Sequence, residues 1–271
     1  MDQMDLRLKY RIKQLSEIRG SRNQESIKLI NWLLSNNNLS PGLIFDGPYG
    51  CCKTSAARAV ARRYFCYNAV PQQVDSCGIC PSCISFDNLT MEAGLMSCLD
   101  NNYFEIFCPD HYQHLDFYKR FFERLYGSFR YGNKSYRCGP DLFGSPKTNK
   151  SIVFLNEFQR TDQATRDLFL NKMEDDPSVI FFLTLSEADG KKVGRDTRDR
   201  LTTVKLSPLT MDESIQFLKE LCALENIEWE ADGLTELAEL SQGVPRNLLG
   251  FLKPFTSGIK LSAGNVNKFL M

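Results

Sequence analysis

The chain has 271 residues, room for one large domain or two smaller ones, and 42% of them are hydrophobic, which excludes wholesale disorder. The 33 Lys and Arg balance the 33 Asp and Glu, so a uniformly basic nucleic-acid coat is excluded, although a one-sided basic surface is not. No apolar run approaches the ~20 residues that cross a bilayer, and the opening MDQMDLRLKYR is too charged for a secretion signal, so a cytoplasmic location without membrane partners is expected.

Residues 24–35 place Ile27, Ile30 and Leu34 at helical spacing and predict a helix. Leu43-Ile44-Phe45 reads as a buried strand entering the turn GPYGCCKTS, after which Ala57, Val60, Ala61 and Tyr64 mark one face of a second helix. Further strands are predicted at 104–107, 152–155, 180–185 and 204–206, with a helix over 161–174. Strands alternating with helices imply an α/β fold, a mostly parallel sheet covered on both faces. The stretch 127–150, rich in Gly, Pro, Ser and Lys, predicts a long exposed loop. After Pro208 the pattern changes. Thr210 and Glu213 form a capping box ahead of an apolar stripe of Ile215, Leu218, Leu221 and Cys222; further helices are predicted at about 232–241 and from Pro245. Residues 1–207 are therefore expected to form an α/β domain, and 208–271 a small all-helical one.

Gly47-Pro48-Tyr49-Gly50-Cys51-Cys52-Lys53-Thr54-Ser55 fits most of the phosphate-loop pattern G-x-x-x-x-G-K-[ST], between a strand and a helix. Backbone N–H groups of such a loop cradle phosphates at a helix N-terminus, with Lys53 placed for the β/γ-phosphates and Thr54 for Mg²⁺. Cys52 takes the place of the second glycine, where a Cβ strains a dihedral that glycine tolerates. The strand at 152–155 ends in Asn156-Glu157, where a nucleotidase carries Asp-Glu. Glu157 is available to polarise water, whereas Asn156 brings no charge, which weakens Mg²⁺ binding and turnover.

Ten cysteines in a chain without a secretion signal point to metal rather than disulfides. Cys66, Cys77, Cys80 and Cys83 have the spacing of a closed, four-thiolate structural Zn²⁺ site. Cys108, His111 and His114 form a weaker set, readable as a second metal site or as polar loop side chains.

These pieces, in this order and over essentially the whole chain, resemble the clamp-loader ATPases of DNA replication, the bacterial gamma/tau and delta-prime type within the AAA+ superfamily. Tyr10-Arg11 and the following Leu15–Gly20 segment resemble the N-terminal stretch that packs on adenine, with Ile12 and Ser21 in place of a proline and a glutamine. GPYGCCKTSAAR resembles the family's phosphate loop, and the four cysteines its zinc module at about 66–83, inserted after the phosphate-loop helix. Glu105-Ile-Phe resembles the second core strand, and 168–177 the family's "ALLKTLEEPP" helix end. Ser186 takes the sensor-1 place, or Thr184 if the register slips; Arg246 in Gly-Val-Pro-Arg resembles the sensor-2 arginine. Arg200 resembles the arginine that reaches a neighbouring subunit's γ-phosphate, with Asp199 and Leu201 replacing its usual neighbours; it also reads as one of several surface arginines with Arg195 and Arg198.

The resemblance implies an AAA+ module with a parallel five-stranded sheet, an inserted zinc module and a helical lid at 208–271. It implies ATP, Mg²⁺ and Zn²⁺ as ligands, and a clamp-loader subunit hydrolysing ATP to ADP and phosphate, weakened at Cys52 and Asn156. Lys53, Glu157 and Arg200 would carry the chemistry. Its partners would be other subunits of a ring, a sliding clamp, and primer–template DNA held by backbone contacts, with Arg160 and Arg166 as candidates. Two alternatives stay open: a delta-prime-like stator that hydrolyses poorly, and an AAA+ nucleotide switch controlling assembly on DNA outside replication. The absence of a helical collar after the lid is the feature that favours the last.

Overall fold

The computed structural model describes residues 5–92, 95–98, 102–111, 113–125, 128–131, 134–137, 150–186 and 193–270. Two helices, α1 (Leu6–Lys9) and α2 (Gln24–Ser35), precede strand β1 (Gly42–Asp46) and helices α3 (Lys53–Phe65) and α4 (Pro81–Asp87). Strands β2 (Thr90–Glu92), β3 (Leu95–Cys98) and β4 (Tyr103–Phe107) follow, then α5 (Leu115–Glu123), β5 (Ser128–Tyr131) and β6 (Lys134–Arg137). The α/β part ends with β7 (Ser151–Asn156), α6 (Gln163–Asp175), β8 (Val179–Leu185), α7 (Arg195–Arg200) and β9 (Thr202–Lys205).

The main sheet runs β2-β3-β4-β7-β8-β1-β9. Its last five strands pair in parallel. Two-residue alternation sends their side chains to opposite faces. Leu43, Phe45, Ile152, Phe154, Ile180 and Phe182 pack on the face covered by α2 and α3, with Ile30, Leu33, Ala57, Val60 and Phe65. Ile44, Val153, Leu155, Phe181 and Leu183 point the other way, into a core with Phe117 and Phe121 of α5 and Phe169 of α6. Because both faces are covered, β7 and β8 are buried almost throughout, and they read in the sequence as continuous apolar runs.

Two expectations are corrected. The sheet has seven strands rather than five, because the antiparallel pair β2–β3 extends it beyond β4. These strands are three and four residues long and owe their existence to the edge of β4, not to an apolar run of their own. The stretch 127–150 is not all loop: β5 and β6 pair as a hairpin, with Phe129 opposite Tyr136. Its remainder at 138–149 lies outside the described residues.

Beyond β9, α8 (Met211–Glu225), α9 (Ala231–Ser241), α10 (Pro245–Leu252) and α11 (Ala263–Leu270) pack around a separate core of Leu218, Leu221, Leu234, Leu237, Leu248, Leu252 and Val266. α8 starts at the capping box: Glu213 N–H donates to the Thr210 hydroxyl and Thr210 N–H to the Glu213 carboxylate. α11 escaped the sequence reading. The N-terminal segment joins this helical core, since Leu6 is buried in it and Tyr10 packs against it. No helix among the described residues is long and apolar enough to cross a membrane.

Candidate functional site

Open parallel sheets gather ligands at the carboxyl ends of their strands, in the crevice where the strand order reverses. Here β1 is followed in the chain by strands to one side of it and finally by β9 on the other. A cleft of about 1260 Å³ opens above that point, lined from the N-terminal segment, the 49–55 turn, the ends of β7 and β8, and α10.

The turn after β1 folds as the sequence predicts. The Lys53 ammonium donates to the carbonyls of Gly47 and Pro48, 2.7 Å each, and lies over the Tyr49 ring. Burial lowers its pKa from the ordinary 10.5. No side chain caps the N-terminus of α3. Gly50 has φ +82°, and a Cβ there would sit 2.5 Å from Val244 Cγ1 and 3.0 Å from Arg246 Cβ, so the turn lies directly against the start of α10. Arg246 N–H donates to the Gly50 carbonyl, and its side chain lines the cleft.

Cys52 occupies the left-handed region at φ 61°, ψ 14°, the conformation for which glycine is suited. Holding a β-carbon there costs ~1–2 kcal/mol. Burial pushes its thiol up to about 11, so it stays neutral at pH 7 and sets no charge against a phosphate.

At the end of β7, Asn156 Oδ1 accepts from the Thr54 hydroxyl at 3.2 Å and the Thr184 hydroxyl at 2.8 Å. Glu157 is also left-handed, at φ 60°, and its N–H donates to Thr184 Oγ1 at 2.8 Å. β7 and β8 pair with Leu155 opposite Leu183, so the residues that follow, Asn156 and Thr184, stand side by side. Ser186 lines the cleft further along, where its hydroxyl accepts from Gln159 Nε2 at 3.4 Å. The register therefore brings Thr184, rather than Ser186, to Asn156 and Thr54.

The sequence reading missed Arg58 and Glu105. Glu105, in an otherwise apolar β4, is 4% exposed and takes a bidentate pair from Arg58 at 2.7 and 2.8 Å, plus the Tyr103 hydroxyl at 2.9 Å. Asn156 Nδ2 approaches the same carboxylate at 3.4 Å. Two signals were available: a carboxylate inside a buried strand requires a partner, and Arg58 lies one turn beyond Thr54, on the same face of α3.

Tyr10 and Arg11 line the opposite wall. The Tyr10 hydroxyl donates to Glu225 of α8, which also holds Lys9 at 2.6 Å. Burial and the neighbouring Arg58 lower the pKa of Arg11. Arg11, Lys53, Arg58 and Arg246 thus converge on one cleft, an arrangement that attracts anions.

Arg200 does not line the cleft: it pairs with Glu174 of α6 and donates to the Asp196 carbonyl at 2.9 Å, at the surface. Arg160 stands 4.0 Å from Glu157, and Arg166 turns back to the Thr161 carbonyl.

The four cysteines form a second centre. The sulfurs of Cys66, Cys77, Cys80 and Cys83 all lie within 4.8 Å of one another, with Cys77 and Cys83 at 4.0 Å. Tetrahedral thiolates at a Zn–S length of ~2.3 Å sit ~3.8 Å apart, so the set fits Zn²⁺ with a small contraction. Burial opposes ionisation of Cys77, but N–H groups of Ile79 and Cys80 outweigh it and hold the thiol down to about 6. Among the described residues this is the one such group, so Cys108, His111 and His114 do not converge on a second metal site. Cys108 is buried, and His111 stacks on Phe117 with ring centres 3.6 Å apart, so core packing takes the residues that spacing alone offered as ligands.

No family model matches the chain. It is 26% identical over 253 residues, 90% of its length, to the DNA polymerase III subunit gamma/tau of Mycoplasma genitalium, and 24% identical over 96% of its length to that of Mycoplasma pneumoniae. It spans 37% and 34% of those relatives. A shorter stretch of 83 residues is 36% identical to the gamma/tau subunit of Mycobacterium bovis, covering 30% of this chain and 14% of that protein. Among solved structures, the Thermotoga maritima RuvB Holliday junction branch migration motor shares the fold, with a TM-score of 0.59 at 17% identity, covering 96% of this chain and 71% of that one. Along nine-tenths of its length or more the chain is similar in sequence to DNA polymerase III gamma/tau subunits, and it shares its fold with the RuvB branch migration motor.

Proposed function

We propose that the chain is a clamp-loader subunit that binds ATP in the cleft between its α/β part, residues 1–207, and a helical lid, residues 208–271. One observation carries the reading: Lys53, Thr54, Asn156, Thr184, Glu157 and Arg246 come from four distant segments and meet at the switch point of the sheet. Lys53 exchanges its two loop carbonyls for the β/γ-phosphates, and the N-terminus of α3 receives them. Mg²⁺, held by Thr54 with Asn156 behind it, would neutralise phosphate charge. Glu157 accepts the proton of the attacking water, and Arg246 reports the nucleotide to the helices. Arg200, at the surface and outside its own cleft, suits a role toward a neighbouring subunit's nucleotide.

The stator reading has its own support, because a left-handed Cys52 and an uncharged Asn156 both weaken hydrolysis more than binding. Around the four cysteines, Zn²⁺ would complete a closed structural site. The likeness to gamma/tau subunits supports reading ring subunits, a sliding clamp and primer–template DNA as its partners, with Arg160 and Arg166 as the basic side chains offered to DNA phosphates. An assembly switch outside replication is distinguished by the absence of clamp binding.

The test is binding of a fluorescent ATP analogue. Lys53→Ala removes a charged hydrogen-bond donor, a change of ~1.5–3 kcal/mol or ~10–100-fold in Kd. Unchanged affinity sinks the cleft assignment. Turnover measured with DNA and clamp present separates an active subunit from a stator.

A further inference from the structure

An amide that stands where a carboxylate is expected has two unlike ends, and something must decide which end faces the ligand. Asn156 sits between hydroxyls on one side, Thr54 at 3.2 Å and Thr184 at 2.8 Å, and Glu105 on the other, at 3.4 Å. A hydroxyl can donate or accept, so neither threonine fixes the amide. An ionised carboxylate only accepts, so Glu105 admits the NH₂ end alone and turns the Asn156 carbonyl toward Thr54. Glu105 is itself immobilised by the bidentate Arg58 pair and the Tyr103 hydroxyl, at 4% exposure. The Arg58 guanidinium compensates its charge in the buried setting.

We infer that Glu105 is a positioning residue for the cation site: it locks the Asn156 amide with its oxygen toward Thr54, so that an uncharged side chain still presents an acceptor to the Mg²⁺ shell. This rests on the nucleotide reading of the cleft. With the amide reversed, an NH₂ group would face the cation and oppose its binding. A Gln at position 105 both donates and accepts, so it would release that lock. An Asp at position 156 has two equivalent oxygens and needs no lock.

The experiment is Mg²⁺ titration of fluorescent ATP-analogue binding by the whole chain, with affinity in EDTA measured alongside. Glu105→Gln should raise the Mg²⁺ concentration for half-maximal effect ~10-fold or more, the scale for removing a residue that orients a metal's neighbours, while affinity in EDTA is unchanged. The double variant Glu105→Gln with Asn156→Asp should return the Mg²⁺ requirement to the wild-type value or below it. Because Asn156→Asp adds a charge of its own, the double variant is also compared with Asn156→Asp alone: a merely structural role for Glu105 would make Glu105→Gln cost the same fold-change in both backgrounds, and that result overturns the inference. So does a single variant with wild-type Mg²⁺ dependence. If Glu105→Gln does not fold, Arg58→Lys serves: a point charge cannot hold both carboxylate oxygens, so a smaller rise is expected, and no rise overturns the inference. A wild-type chain that binds no analogue even with Mg²⁺ removes the nucleotide reading itself, a result distinct from either of these.

Discussion

The two centres of this molecule are built in opposite ways. The four-cysteine centre draws all its sulfurs from one stretch between Cys66 and Cys83, whereas the cleft draws on segments from Tyr10 to Arg246. The cysteine stretch has little core of its own: Cys66, Cys80 and Cys83 are its buried apolar cluster, with Ala69 and Cys77 packed against them. It is tethered to the rest by polar bonds. Gln14 pairs with both the carbonyl and N–H of Ser76 at 3.1 Å, Asp75 accepts from Ser16, and Arg62 joins Ser76 to Asp87. The cleft is backed by three cores, one on each face of the sheet and that of the helices α8 to α11. A centre with so small a core would depend on a bound metal to stay folded; a centre backed by large cores would need a ligand only to act.

Metal removal should break this comparison most sharply. Zinc bound by thiolates contributes on the order of 10 kcal/mol to small domains that fold around it. Stripping metal, or making Cys77→Ser with Cys80→Ser, should therefore open residues 66–87 to amide exchange while α8 to α11 stay protected. Metal analysis should give about one Zn²⁺ per chain before treatment. Retention of metal by the double variant would refute the four-thiolate site.

A smaller effect lies within the phosphate loop, where two neighbouring left-handed residues should respond with opposite signs. Gly50→Ala puts a Cβ 2.5 Å from Val244 Cγ1 at φ +82° and should destabilise by ~1–3 kcal/mol. Cys52→Gly relieves ~1–2 kcal/mol of left-handed strain, offset in part by ~0.5–1 kcal/mol of glycine entropy, for a gain of at most about 1.5 kcal/mol. Thermal melting reads both; a fall in Tm for Cys52→Gly would show that the thiol contributes packing that outweighs its backbone strain.

The smallest expected effect is at the seam with the helices. N–H groups of Thr210 and then Ser21 hold the Glu213 carboxyl down to about 2 from its ordinary 4.5. A depressed carboxylate contributes stability that is complete above the unfolded pKa and is lost as pH falls through the folded one. The joint between residues 20–21 and α8 should therefore weaken between about pH 4.5 and 2. Glu213→Gln should flatten that part of the stability–pH curve, and an unchanged curve would assign the acid response to other carboxylates.

Much of the scaffold is legible in the chain. The runs that became β1, β4, β7 and β8 alternate between two cores, and the segments that became α2 and α6 are read within a residue or two of their ends. The Thr210 capping box is equally plain, because its partners are three residues apart. Short edge strands were not legible: Leu95–Cys98 extends on the edge that β4 offers, and Thr90–Glu92 pairs in turn with Leu95–Cys98. The Arg58–Glu105 pair was hidden for a related reason, since its partners are separated by the cysteine stretch and meet only when α3 lies across β4.

Sequence by itself determined what depends on near neighbours: the strand–turn–helix around Lys53, the strained Cys52, and the metal-ligand spacing from Cys66 to Cys83. Tertiary structure alone decided which residues face each other across strands and helices. Thr184 rather than Ser186 meets Asn156 because β7 and β8 pair with Leu155 opposite Leu183, and a shift of one residue would have turned the side chains to the other face. Likewise, Cys108 and His111 are buried with Phe117 and Tyr118 instead of gathering with His114 as a ligand set. Local backbone preferences act within a turn or two of chain, while lateral pairing and burial join residues far apart in sequence, and the cleft is made of the latter.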